Sequence, residues 1–330
     1  MRRRDFLALA GAAASCACWP LHARAQAADR MRRIALMMPL PESDSESQVR
    51  VVALRDSLEK LGWGSRNLRL DFRWDVGNPE RARAAAKELV ASAPDLIMPS
   101  TTQMLAAVKA ETRTIPIVFV NVSDPVGTGL VASLAHPGGN ITGFTNFEYA
   151  TGGKWLGILK EIAPTVGRVA IIANPKNPNT ALYLRTIEPA APALGLALSI
   201  ANVSDAAGIE QAITAAAQET NGSLLIMPDP LTIVHRELIV AAAARHRLPA
   251  AYPYAYFVAI GGLLAYGIDS TDLYRRAAAY VDRILQGANP GELPIQQPTK
   301  FELAINLKTA KSLGLTVPLT LQASADEVIE

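Results

Sequence analysis

The chain has 330 residues, 50% of them apolar and 19% charged, more than one ordinary core takes up, which sets two domains as the expectation. Its formal net charge is +2, but residues 1–25 hold Arg2, Arg3, Arg4 and Arg24 against Asp5, a share of +3, so the remainder carries −1. No basic surplus is left for nucleic acid or an anionic membrane, and because Cys16 and Cys18 both fall in residues 1–25, the remainder has no disulfide, thiolate metal site or cysteine nucleophile.

In chain order, residues 1–25 read as an export signal cut near Ala25: basic MRRRDF, a short apolar LALAGAAASCAC, and a small-x-small ending in HARA. Arg3, Arg4, Phe6 and Leu7 resemble a twin-arginine signal, and the general secretory route takes the same leader, so the destination is periplasmic by either path. Neither cysteine follows the Leu-containing box used for lipid attachment.

RRIALMMP (32–39) reads as a buried strand, followed by a helix-period segment through Leu61 and by LRLDFRW, which alternates as an edge strand does. Asn78 and Pro79 open a helix as cap and first residue, PDLIMPS gives the next buried strand, and IPIVFVNV another. After it, SDPVGTGLVASLAHPGGNITGF predicts a helix of roughly two turns stopped by Pro137, Gly138 and Gly139, then a turn into ITGF. Gly127, Gly129 and Ala132 spell G-x-G-x-x-A, but the helix is too short and the strand is the fourth of its lobe, so tight turns account for these glycines better than a pyrophosphate does.

The second half repeats this order. GRVAIIANP answers RRIALMMP, GSLLIMPDP answers PDLIMPST, and LPAAYPY answers IPIVFVN, at offsets of 135 (Ile34 to Val169), 129 (Pro99 to Pro228) and 133 (Pro116 to Pro249). Alternating helices and strands in two similar runs predict an α/β chain of two doubly wound lobes with parallel sheets. The join falls in Phe144–Lys154. Leu248–Gly267 is uncharged over twenty residues, but its prolines and glycines argue for strand, turn and strand instead of a membrane span. The helix STDLYRRAAAYVDRILQG, the strand KFELAIN and the helix LKTAKSLGL follow, with further lobe crossings among them. The N-terminal lobe is thus expected from residues 32–146 plus a segment within 270–300, and the C-terminal lobe from 147–269 plus a segment within 300–330.

Catalytic signatures are missing from the sequence. YATGGKW lacks the first glycine and the Ser/Thr of a P-loop, His136, His235 and His246 make no H-E-x-x-H, and there is no G-x-S-x-G. No cofactor, metal or catalytic residue is therefore assigned. What remains is a set of polar residues at predicted strand ends, where open α/β sheets place ligands. These are Ser43, Ser100, Thr101, Thr102 and Asp124 in the first lobe, and Asn174, Asp229, Tyr252, Tyr254 and Asp269 in the second. Ser100–Thr102 open a helix, suiting a ligand carboxylate or simple capping. Asp124 and Asp229 each precede proline, suiting a ligand ammonium or a turn. Tyr252, Tyr254 and Tyr256 share one face if YPYAYF is extended, giving either a stacking wall or core packing.

IPIVFVNVSDPVGTGLVASLAHPGGNITGF, RVAIIANPKNP, GGLLAYGIDSTDLYRRAAAYVDRILQGANPGELPIQQPTKFELAINLKTAKSLGL and the final ADEVIE resemble the ABC-transporter substrate-binding proteins that include tryptophan and tyrosine binders. The resemblance implies a type I periplasmic binding protein: two lobes, a three-strand hinge, and one small ligand clasped between them. It further implies a monomer that serves an inner-membrane ABC permease and does not itself span the membrane. A ligand sensor presenting its closed form to a membrane receptor is the alternative, and an exported enzyme on the same scaffold a third. MPSTTQM and AYPYAYFVA depart from the family's usual cleft loops, so ligand identity is not carried over; an amino acid or another small carboxylate is the expectation.

Overall fold

The computed structural model describes residues 30–146, 149 and 151–330; the expected export signal, with Cys16 and Cys18, and Phe147, Glu148 and Ala150 at the expected join lie outside the described residues. The first lobe runs β1 (Arg32–Met37), α1 (Ser45–Lys60), β2 (Leu68–Arg73), α2 (Pro79–Ala91), β3 (Leu96–Pro99), α3 (Thr102–Glu111), β4 (Ile117–Val122) and β5 (Ile141–Thr145). Its five strands are parallel in the order β2-β1-β3-β4-β5, which leaves β2 at an edge. Successive residues of β1 feed different cores: Ile34 and Leu36 pack on one face, Ala35 and Met37 on the other. That alternation inside an unbroken apolar run marks a sheet covered on both faces.

The second lobe continues with α4 (Thr151–Ile162), β6 (Arg168–Ala173), α5 (Asn179–Ala190), β7 (Ala197–Asn202), α6 (Ala206–Ala216), β8 (Gly222–Ile226), α7 (Pro230–Val234), α8 (Arg236–Arg245), β9 (Ala250–Tyr252), α9 (Ala255–Ala259) and β10 (Leu264–Gly267). Next come α10 (Ser270–Leu285), β11 (Glu302–Asn306), α11 (Leu307–Ser312), α12 (Leu319–Ser324) and β12 (Glu327–Ile329). The sheet has seven strands in the order β12-β11-β10-β9-β8-β6-β7. The pairs anticipated from the repeated apolar words, β1 with β6, β3 with β8 and β4 with β9, hold matching places in the two sheets.

Helix α10 packs on α1, β4 and β5 of the first lobe. The chain then runs beside β5: Thr142 Oγ1 donates to Leu293 O at 2.7 Å, Gln296 N to Gly143 O at 3.0 Å, and Thr145 N to Gln296 O at 2.9 Å. It returns as β11, antiparallel to β10. That one antiparallel pair departs from the expected all-parallel sheet because β11 enters the second lobe from the opposite direction after its excursion.

Two local expectations are corrected. Residues 125–136 form turns, not a helix: Asp124 Oδ1 accepts from Gly127 N at 2.8 Å, and Leu130 N and Val131 N both donate to Pro125 O. A Cβ at Gly127 would meet the Asp124 carboxylate, so glycine there leaves the turn bond undisturbed. YPYAYF is not extended either. Pro253 has no N–H to extend the ladder, β9 stops at Tyr252, and α9 follows. Tyr254 stacks on Tyr256 with ring centroids 5.2 Å apart, Tyr256 on Phe257 at 5.3 Å and Phe257 on Tyr252 at 5.1 Å, a stack built through Phe257 in which Tyr252 is core. Among the described residues no helix is long and apolar enough to cross a membrane.

Candidate functional site

The carboxyl ends of β1, β3 and β4 face those of β6, β8 and β9 across a cleft. The first lobe contributes Arg50, Ser100, Thr101, Thr102, Asn121, Ser123 and Asn146 to a cavity there, and the second contributes Asn177, Asn179, Asp229, Ile233 and Tyr254. A water-sized sphere can centre itself over about 50 Å³ of it, several times the ~10–15 Å³ that one water requires.

Strand ends and caps explain the first-lobe side. Ser100 is buried directly after β3, Thr101 caps α3 by accepting from Met104 N at 3.2 Å, and Thr102 Oγ1 accepts from Ser123 N at 3.3 Å and from Asn179 Nδ2 of the other lobe at 3.2 Å. Both threonine hydroxyls act as acceptors in these bonds. Asn121 sits where the β4–β5 register shifts, with φ 54. Such a bulge re-aims a side chain, and Asn tolerates the left-handed region better than most residues. Its Oδ1 is buried without a hydrogen-bond partner.

Arg50 comes from α1, whose buried face is Ser47, Arg50, Val51, Leu54 and Leu58. Only 3% of Arg50 is exposed, its Nη2 is 3.6 Å from Glu46 Oε2, too long for a hydrogen bond, and its Nε has no partner. Burial raises the Glu46 carboxyl above its ordinary value, with Arg50 and Arg236 opposing. Arg50 itself stays charged despite the cost of desolvation, since Tyr256, Tyr274 and Glu46 favour its cationic form.

Asp229 caps α7 from the far wall. Its Oδ1 accepts from Leu231 N at 2.8 Å and from Asn174 Nδ2 at 3.2 Å, and its Oδ2 accepts from Asn177 Nδ2 at 2.8 Å. Burial nevertheless raises its pKa, the three donors only partly offsetting desolvation.

The lobes touch directly beside the cavity. Asp44, which caps α1 through Glu46 N, takes a bidentate pair from Arg236: Nη1 to Oδ2 at 2.7 Å and Nη2 to Oδ1 at 3.2 Å, each side chain 11% exposed. Gly77 and Pro39 of the first lobe abut Pro230 of the second.

Of the residues singled out in the sequence, Ser100, Thr101, Thr102, Asp229 and Tyr254 line this cavity. Asn174 stands behind Asp229, facing a larger hollow at the cleft mouth. The others are elsewhere. Ser43 is exposed on its loop, and its neighbour Asp44 makes the cross-lobe pair instead. Tyr252 is core. Asp269 caps α10, pairs with Arg275 at 3.1 Å, and borders a separate hollow beside Asp272 and Lys300. Asp124 closes its turn outside the cavity lining. Asp124→Ala is therefore expected to cost about 1 kcal/mol of stability through the lost turn bond while leaving ligand affinity unchanged, which paired melting and titration measure. Arg50, Asn121, Ser123, Asn146, Asn177 and Asn179 were not anticipated. The usable signal was a charged residue on an otherwise apolar helix face, Arg50 between Ser47 and Leu54. Among the described residues no cluster of His, Cys, Asp or Glu could hold a metal ion.

Known proteins place this geometry. A "Tyrosine-binding protein" of Clostridioides difficile (strain R20291) is 26% identical over 282 residues, covering 86% of this chain and 80% of that one. The crystal structure of a conserved domain protein from Vibrio cholerae superposes with a TM-score of 0.83 at 28% identity, covering 91% of this chain and 100% of that one. A Streptococcus pneumoniae ABC domain in complex with L-Trp reaches the same TM-score, 0.83, at 22% identity, with coverage of 91% and 100%. The model of the family described as ABC transporter substrate binding protein matches residues 34–329. A two-lobed α/β chain with a polar cavity at its facing strand ends, matched over nearly its whole described length, belongs to the ABC transporter substrate-binding protein family.

Proposed function

We propose that this protein is the periplasmic receptor of an ABC importer, exported through its twin-arginine or general secretory leader, which closes about the lobe crossings over an amino acid or another small carboxylate and delivers it to an inner-membrane permease. The observation that carries the reading is the cavity itself: polar groups from both lobes converge on it, and contacts between the lobes lie beside it. A ligand that touches both walls stabilises the closed arrangement by its differential affinity for that state. The tyrosine-binding relative and the tryptophan-bound neighbour support an amino acid over other small carboxylates. The leader-like residues 1–25 support export.

The test is thermal melting of the purified, ligand-stripped protein against the amino acids and aromatic acids. A ligand at about 100 times its Kd adds ~2.7 kcal/mol to stability, which for a chain of this size raises Tm by roughly 5 °C. One or a few related compounds are expected to do so. A flat response across the panel would sink the reading.

A further inference from the structure

We infer, resting on that receptor reading, that the ligand's carboxylate pairs with Arg50, so that Arg50 and not the Ser100–Thr102 hydroxyls selects for an acid. A guanidinium is always charged, and holding one away from water is costly unless acceptors surround it. Arg50 is 3% exposed, yet besides the neutral Tyr274 hydroxyl the one carboxylate recorded near it is Glu46 at 3.6 Å, and its Nε has no acceptor. Two further buried polar atoms are unpartnered nearby: Asn121 Oδ1 on the same cavity, and the hydroxyl of Tyr256, one of the groups that bear electrostatically on Arg50. Two residues with unsatisfied buried polar atoms, Arg50 and Asn121, line the same hollow, as a missing polar ligand would leave them.

The neighbouring hydroxyls are neutral: Thr101 and Thr102 accept from Met104, Ser123 and Asn179, and each has at most one O–H to donate, which brings no charge to a carboxylate. A carboxylate presents two oxygens to a guanidinium fork, supplying charge and acceptor together. An acceptor for a donor on the same ligand is already available in Asn121 Oδ1. Arg50 and Asn121 both belong to the first lobe, which on this assignment supplies the carboxylate end of the site.

The test compares wild type with Arg50→Lys, Arg50→Gln and the double variant Arg50→Gln/Glu46→Gln, which leaves no buried carboxylate unpaired should the single one fold poorly. Probes are L-tyrosine, L-tryptophan, L-leucine and L-alanine, each beside its carboxamide, together with benzoate and succinate, by calorimetric titration and melting. Wild type is expected to bind at least one acid and to bind the matching amide at least ~100-fold more weakly, with Arg50→Gln losing the acid to the same degree and Arg50→Lys recovering part of it. Equal binding of acid and amide by wild type, or an unchanged Kd in a folded Arg50→Gln protein, overturns the assignment of Arg50 and leaves the receptor reading standing. Binding of no probe by wild type overturns both.

Discussion

Gly77→Val is expected to weaken ligand binding about 10- to 100-fold while the ligand-free protein melts within a few degrees of wild type. Gly77 lies in the loop between β2 and α2, and a Cβ on it would stand 2.9 Å from Pro230 Cβ and 3.0 Å from Pro39 O. Pro39 belongs to its own lobe, and its carbonyl gives by a small loop adjustment. Pro230 belongs to the other lobe, as the first residue of α7 behind the Asp229 cap. Two γ-carbons beyond that Cβ have nowhere to go unless the lobes stay apart. The burden therefore falls on the closed form alone, and apparent affinity drops with the population able to close. Calorimetric titration reads the affinity and a melting curve without ligand reads the fold. An unchanged Kd would show that Gly77 and Pro230 do not meet in the liganded state.

Asp44→Ser is expected to weaken binding on the order of 30-fold or more, because truncating one partner of a largely desolvated ion pair costs ~2–5 kcal/mol. Asp44 has two tasks: it caps α1 through Glu46 N, and it holds Arg236 across the cleft. Serine keeps a hydroxyl for the cap while removing the charge, so the substitution isolates the cross-lobe pair. The pair exists only when the lobes are together, so its loss destabilises the closed form and leaves the open one alone. Arg236→Gln should do the same. The double variant should be little worse than either single one, since each already breaks the same contact. Kd values for the four proteins complete the cycle. Additive losses would mean that the two residues act separately.

Much of the architecture was legible because parallel strands buried on both faces leave continuous apolar words, and RRIALM, DLIMP and IVFVNV each have a counterpart a lobe later. Caps were legible for the same local reason: Asn78 and Pro79 open α2 as read, with Asn78 Oδ1 accepting from Arg81 N at 2.8 Å. Strand-end position also brought Ser100, Thr102 and Asp229 into the cleft. The misses share a cause, in that their partners are distant in sequence. Arg50 meets tyrosines of the second lobe and of α10 more than two hundred residues away. Asn177, in the loop after β6, and Asn179, the first residue of α5, find Asp229 and Thr102. Periodicity misled at YPYAYF, where a proline ended the strand and started a helix, and at Asp124, where a turn bond to Gly127 replaced the expected helix start.

The most direct test of closure over a ligand uses the absence of cysteine after residue 25, which lets two introduced cysteines carry spin labels without a background. Val52 on α1 and Ala241 on α8 are both exposed and stand on the two lobes either side of the Asp44–Arg236 pair. Electron–electron resonance between labels at these sites, in stripped protein with and without the compound that raises Tm most, should show the long, broad distance distribution of an open cleft collapse to a shorter and narrower one at saturation. Identical distributions with and without saturating ligand would contradict closure over the cavity.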